Sequence, residues 1–520
     1  MRRKKAHHRA AAVADALDSR LGLAGVVRAT FNKVFPDHWT FLLGEIALYS
    51  LVFLILTGTF LALYFEPSQT EVVYHGAYPP LRGVPMSRAY ETTLNLSFEV
   101  RGGLIIRQMH HWSANLFMAA IVVHMLRIFF TGAYRRPREV NWVIGLTLFW
   151  LGFVEGFAGY SLPDDALSGT GLRIANAIVL AIPVVGTWVA TSLFGGEFPG
   201  TEILPRLYIL HVFLIPALLL ALVVVHLAIV VRQKHTQWPG PGRTEHNVVG
   251  TRMVPSFAIR STGFFVLVIA VLTALGGIFQ INPVWIYGPY EAAVVTSASQ
   301  PDWYVGFLDG ALRVFPPWEI RLFGYTIPPA FWAGAVLPGV LTMLALAYPY
   351  VEQRLTGDHR PHHLLQRPRD APTRTALGVM ALAFYLVLFV SAANDLIAYK
   401  FSISLNAILW AGRIGLLVLP PMAYWLTYRA CLALQQHDRE VLVHGVETGI
   451  IRRLPDGRLV EVHQPLAEPD GGGRPELDYA NWTVPKKMNR LGALLPTVKG
   501  FFVPIEEPEE PRERDRQSAA

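Results

Sequence analysis

The chain has a single cysteine, Cys431, among 520 residues. This rules out a disulfide framework, a cysteine-ligated zinc site and an iron–sulfur cluster built from this chain alone. Charge is also scarce, with Asp, Glu, Lys and Arg making up 16% of the residues. The net charge of +7 sits mostly between apolar stretches, and no contiguous basic stripe is present, so nucleic acid is not an expected partner. The opening "MRRKKAHHRAAAVADALDSR" lacks the apolar core of roughly 7–15 residues that a cleaved signal peptide carries, and reads as a cytoplasmic anchor. No internal repeat is visible.

What the chain has in excess is apolar residues, 52% of the total, with a mean hydropathy of +0.35. A helix crossing a bilayer needs about 20 predominantly apolar residues. Eight stretches meet that requirement, near 43–65, 104–131, 141–162, 205–231, 262–281, 330–350, 375–394 and 403–428. A ninth run, 174–194, is also apolar. The connections at 135–141, 232–252 and 352–370 are rich in basic residues, and eight spans place all three on the side of the basic N-terminus. Counting 174–194 as a span would put two of them outside. It is therefore expected to be a non-spanning hairpin on the outer side, broken at Pro183. The fold class is an all-α integral membrane protein of eight transmembrane helices, with both termini cytoplasmic. The expected divisions are an N-terminal segment (1–42), a four-helix domain (43–233), a second four-helix domain (234–429) and a small cytoplasmic extension (430–520). The alternating stretch around "PDG" (455–457) predicts a β-hairpin, and the charged end "EEPEEPRERDRQSAA" predicts disorder.

Two spans carry paired histidines. His110 and His124 are fourteen residues apart, which at 100° per residue is about 40° short of four turns, so they share a face about 21 Å apart along the axis. His211 and His226 are fifteen apart, about 60° past four turns and about 22 Å apart. Two helices, each with two imidazoles at matched depths, can clamp two planar groups between them. That is the geometry of two bis-histidine haems stacked across a membrane. A lone membrane histidine more often bonds a neighbouring helix or lines a water cavity, and two matched pairs on uncharged helices weigh against that reading. His111 lies 100° off the ligand face and is left to it. Because both helices run from outside to inside, His110 pairs with His211 at the outer iron and His124 with His226 at the inner. Arg107 and Arg127 bracket the first pair where haem carboxylates would emerge, and a guanidinium fork can bond both carboxylate oxygens. Snorkelling interface arginines would explain their depth equally well. Gly44 and Gly58, and again Gly145 and Gly159, repeat the fourteen-residue interval and would let two further helices approach a flat ring.

These intervals, in this order, resemble cytochrome b of the cytochrome bc family, the quinol–cytochrome c reductases, over about residues 30–430. "GYSLPDD" (159–165) is similar to the family's Gly-Tyr-x-Leu-Pro turn. Counting on from it places Gly171 at a glycine lining the outer quinol pocket. "PDWY", Pro301 to Tyr304, resembles the family's Pro-Glu-Trp-Tyr, with Asp302 where the proton-accepting acid stands. The resemblance implies Asp302 and Tyr304 as catalytic residues, and Pro301, Trp303 and Gly171 as quinone-binding residues. It also implies two non-covalent haem b groups, and quinol oxidation outside coupled to quinone reduction inside and to proton translocation. The fused eight-span chain, "VNWVIGL" and the long tail resemble the actinobacterial branch. That branch implies menaquinone, a cell-membrane location, a Rieske-type iron–sulfur protein, a di-haem cytochrome c subunit, a homodimeric complex and a supercomplex with a haem-copper oxidase. Mitochondrial relatives carry Trp and Gly where Asp164 and Asp165 stand, so either aspartate is a candidate to share the proton-accepting work. With no cysteine near the N-terminus, a covalently attached extra haem is not expected.

Two other classes compete. A di-haem membrane anchor of a dehydrogenase or hydrogenase would hold the same histidines, but has no use for "PDWY" or four further spans. A transporter would need no haem. Arg232, Lys234 and His235 are positional candidates for an inner quinone site. Arg413, inside the last apolar run, is expected to face the bundle with Asp395 as a candidate partner. "HRPHH" (359–363) reads as a solvated basic loop rather than a metal site, and Cys431 as inert.

Overall fold

A computed structural model describes residues 18–20, 22–240, 242–294 and 300–464. The N-terminal anchor up to residue 17 and the tail expected to be disordered lie outside the described residues. Among the described residues, eight helices are long and apolar enough to cross a membrane: Trp39–Ala62, Gly103–Phe130, Glu139–Ser161, Ile203–Gln233, Met253–Ile278, Pro329–Thr356, Pro372–Ser391 and Leu405–His444. They correspond one to one with the predicted stretches and are numbered here as the first to eighth spans. The ninth apolar run forms the end of one short helix, Ala166–Leu180, and a second, Gly186–Phe194, with the turn between them containing Pro183. This is the expected hairpin. Hydrophobicity decides which segments become helices here, because a bilayer leaves no water to satisfy exposed backbone groups.

The first span packs along the second, the fourth along the third, and the fifth against the first two. The seventh and eighth pack together and enclose the short helix Gly306–Val314. The second and fourth spans, which carry the histidines, share little direct packing.

At one end the three basic connections lock together. Gln237 and Leu364 form a β-bridge, the Gln237 N–H donating to the His363 carbonyl at 3.0 Å. Arg138 donates to the carbonyls of His362 (2.6 Å) and Lys234 (2.9 Å), and Arg135 to that of Leu364 (3.1 Å). A shared end is what eight spans require. "HRPHH" is thus an interlocking segment, with His362 and His363 facing Arg135 and Arg138.

The eighth span departs from expectation. Its helix runs 40 residues, about 60 Å at 1.5 Å per residue, far beyond a bilayer core. The expected boundary at 430 falls inside it. Its emergent part is tied to the preceding loop by Asp438, which pairs with Arg367 at 3.0 Å and Arg369 at 3.2 Å. Beyond it, Val446–Arg453 and Leu459–Gln464 form the predicted hairpin, with "PDG" in its turn.

Candidate functional site

The four predicted histidines and the four predicted glycines meet one to one. A β-carbon built on Gly58 would lie 3.1 Å from the His110 ring, and one on Gly44 would lie 3.3 Å from that of His124. On the other side, Gly159 faces His211, its β-carbon falling 2.8 Å from Nε2, and Gly145 faces His226 at 3.9 Å. The first and third spans are therefore flush against the rings wherever the second and fourth present them. His110 and His211 come together, ring centroids 6.1 Å apart and planes at 80°. His124 and His226 lie close enough to interact electrostatically.

The fifteen-residue interval has a structural cause. Leu210–Leu214 is a π-helical turn, with the Ile215 N–H donating to the Leu210 carbonyl. A π-turn absorbs one extra residue, and such turns concentrate at functional sites. Subtracting one residue from fifteen leaves fourteen, and the second pair returns to about 40° short of four turns, as in the first.

Hydrogen bonds fix the tautomers of the outer pair. The Nδ1–H of His211 donates to the Glu155 carbonyl at 3.0 Å, an acceptor-only partner. Thr57 donates its hydroxyl to the Phe53 carbonyl and so accepts from His110 Nδ1 at 2.9 Å. Both rings therefore keep an Nε2 lone pair for a metal. The two arginines stand at opposite ends of the second span. Arg107 is buried, donates to the Asn282 carbonyl at 3.1 Å and leaves Nε without a partner among the described residues. Arg127 lies over Phe41 at 4.5 Å, with Nε and one terminal nitrogen unpaired among the described residues. Buried guanidinium nitrogens without acceptors are costly, and a bound carboxylate would satisfy both. Imidazole donors, a cradle with no β-carbons and orphaned guanidinium nitrogens together fit haem with its propionates.

Beside the outer histidines, a mainly apolar cavity of about 150 Å³ lies between the third span, the hairpin helix and the "PDWY" turn. Pro301, Asp302, Tyr304 and Gly171 line it, as predicted. Trp303 does not. In the tight turn Trp303–Val305 successive side chains diverge, and the indole packs edge-on to Tyr304 at 5.9 Å, in the core. Asp302 is held from two sides. His111 Nε2 lies 3.0 Å from Oδ1, and the Tyr304 hydroxyl donates to Oδ2 at 3.4 Å. Burial and the Asp302 carboxylate push the Tyr304 phenol well above its ordinary range, so it stays a donor.

Asp164 and Asp165 do not line this cavity. Asp165 caps the helix Ala166–Leu180, accepting from the N–H groups of Leu167 (2.8 Å) and Ser168 (3.1 Å). Burial raises both carboxyls to about 6. A second carboxylate that does line the cavity is Asp309, paired with Arg313 at 3.0 Å. Arg313 also holds Asp395 at 3.0 Å, so Asp395 is not Arg413's partner. Arg413 faces the bundle as expected and donates to the Val314 carbonyl at 2.8 Å. Of the inner candidates, Arg232 and Lys234 are exposed, while His235 packs edge-on to Phe41 at 4.3 Å, on the ring that Arg127 covers.

A model of the family described as "Cytochrome b(N-terminal)/b6/petB" matches residues 115–289. The chain is 57% identical to the cytochrome bc1 complex cytochrome b subunit of Corynebacterium diphtheriae over 496 residues, 95% of this chain and 92% of that protein. It is 56% identical to the subunit of the same name from Mycobacterium tuberculosis (strain H37Rv) over 492 residues, 94% of this chain and 89% of that one. The Streptomyces coelicolor counterpart is 50% identical over 457 residues, 88% and 84% of the two chains. Among solved structures, a chain of "Hyperthermophilic respiratory Complex III" superposes with a TM-score of 0.57 at 21% identity, covering 80% of this chain and 99% of that one. That last likeness speaks to the fold.

Proposed function

The chain belongs to the cytochrome b subunits of cytochrome bc1 complexes, and from that premise we propose how its residues serve quinol–cytochrome c oxidoreduction. It is a multi-pass membrane subunit of an oxidoreductase whose family binds haem b and quinone and works with a Rieske protein and a cytochrome c. The matched length of its relatives leaves no room for the dehydrogenase-anchor or transporter readings.

His110 with His211, and His124 with His226, would each hold one haem b, the outer two rings keeping Nε2 free for the iron. The observation that carries this is the one-to-one meeting of the four histidines with Gly58, Gly159, Gly44 and Gly145. Arg107 and Arg127 take the propionates. Haem supplies one-electron transfer when bound, which neither imidazole nor carboxylate can do.

The outer cavity takes the quinol ring among Phe153, Tyr160, Gly171 and Pro301. Asp302 accepts the hydroxyl proton, and His111 and Tyr304 hold its two oxygens so that the lone pairs face the cavity. Asp309, in the same wall, is placed to take the second proton, with Arg313 holding both it and Asp395. Inner quinone reduction is assigned to the end where His235, Phe41 and Arg127 gather. The basic connections support a cytoplasmic side for that end and for both termini, in the cell membrane. The resemblance to the actinobacterial branch implies menaquinol as substrate, and a homodimeric complex with a di-haem cytochrome c subunit, held in a supercomplex with a haem-copper oxidase.

The test is quinol-driven reduction of the cytochrome c by the purified complex. Turnover with a naphthoquinol, exceeding that with a benzoquinol of equal tail length, is expected. Preference for the benzoquinol would contradict the menaquinol assignment, and turnover with neither would contradict the reductase mechanism.

A further inference from the structure

The four imidazoles stand in two different environments. Both outer rings have their Nδ1–H engaged, His110 by the Thr57 hydroxyl and His211 by the Glu155 carbonyl. Neither inner ring does: Nδ1 of His124 and of His226 have no partner among the described residues. One of the outer contacts also brings a carboxylate. Glu155 Oε1 lies 3.0 Å from His211 Nδ1, and its second oxygen, Oε2, is buried with no partner among the described residues. His211 is thus the side-chain contact of this carboxyl.

The third span itself shows the asymmetry. Glu155 precedes Gly159 by four residues, and Asn141 precedes Gly145 by the same four. A neutral amide thus takes the inner position that corresponds to the outer carboxylate. Asn141 is buried and its Oδ1 has no partner among the described residues.

We propose that Glu155 sets the reduction potential of the outer haem below that of the inner one, by placing a carboxylate against the Nδ1–H of the ligand His211. The inference rests on the ligand assignment above. A carboxylate on the distal nitrogen of an imidazole raises the ligand's basicity, and second-shell hydrogen bonding is one of the protein's levers on haem potential. A more electron-rich ligand favours the ferric form, as does a nearby uncompensated negative charge. Arg107 and Arg127 put one guanidinium at each end. Glu155 acts on one site alone, and it makes transfer from the quinol-oxidising side to the inner side run downhill.

The experiment is a redox titration of the haem absorption bands, with EPR of each ferric haem, on the purified complex carrying Glu155→Gln, Asn141→Glu or His211→Leu. Glu155→Gln should retain two haems per chain. It should raise the outer potential by at least the about 59 mV that a tenfold shift represents for a one-electron couple, leaving the inner potential in place. Asn141→Glu should lower the inner potential, and it carries the test independently should the glutamine variant lose its outer haem. Two retained haems with an unmoved outer potential in Glu155→Gln, or an unmoved inner potential in Asn141→Glu, would overturn the role of the carboxylate. His211→Leu separates the two ideas. If it keeps both haems, the ligand assignment fails. If it loses only the outer haem while the other variants change nothing, the inference fails alone.

Discussion

Gly159 lies directly beneath His211, so close that a β-carbon there would fall 2.8 Å from Nε2. His211 cannot retreat, because Glu155 holds its other nitrogen. Gly145 is looser, with 3.9 Å to the His226 ring. Gly159→Ala should therefore lower outer haem occupancy, with overpacking of about 1–3 kcal/mol at the site, while Gly145→Ala keeps the inner haem. Haem b per chain, quantified after extraction, checks this. Equal effects of the two changes would count against the cradle.

Asp302→Asn keeps size and hydrogen bonding but removes the base. A well-placed general base contributes about 10²–10⁴-fold, so quinol oxidation should slow within that range while both haems stay. Asp309→Asn should slow it less, and the double variant more than either. Steady-state turnover with saturating quinol is the measurement. Unchanged turnover in all three would move the chemistry away from this cavity.

Near the inner surface, Arg374 pairs with Glu352 at 2.9 Å, and Tyr134 donates to the same carboxylate at 2.6 Å. Arg374 is only 5% exposed. Removing one partner of a buried pair costs about 3–5 kcal/mol because the other charge is left uncompensated. Glu352→Ala should lower the thermal inactivation midpoint clearly, with haem spectra unaltered below it. A midpoint equal to the wild type would show that the pair is dispensable.

Burial raises Asp164 and Asp165 from 3.8 to about 6. A carboxyl raised on folding favours the folded state when protonated. Its contribution is full below about pH 4 and is lost as pH rises through about 6. Asp164 also has φ 55, a conformation asparagine tolerates. Asp164→Asn should therefore stabilise the complex at pH 8 and change little at pH 4. The inactivation midpoint of the variant against wild type at both values decides it, and an equal gain at both would refute the titration.

The eight spans, the hairpin and the meeting of the four histidines with the four glycines are legible because each rests on periodicity and hydrophobic length. Three features escaped for physical reasons. The π-turn at Leu210–Leu214 is invisible to a fixed pitch of 100° per residue, which puts the fifteen-residue interval about 60° past four turns. His111 lies off the ligand face, where periodicity alone gives it no role, yet that offset is what turns it toward Asp302. Asp164 and Asp165 looked like proton carriers because they replace apolar family residues. The Asp165–Ser168 capping pattern before an apolar helix was the available signal for a structural role. Glu155 also had a signal, as an acid within an apolar span. Which imidazole it would meet depended on the packing of the third span against the fourth.

The ligand assignment is tested most directly by haem b content and the reduced-minus-oxidised spectrum of the purified complex, in the wild type and in His110→Leu, His211→Leu, His124→Leu and His226→Leu. The wild type should hold two haems per chain and each variant one. His110→Leu and His211→Leu should lose the same spectral component, and His124→Leu and His226→Leu the other, higher-potential one. A colourless wild type, a variant that keeps both haems, or members of one pair losing different components would contradict the account.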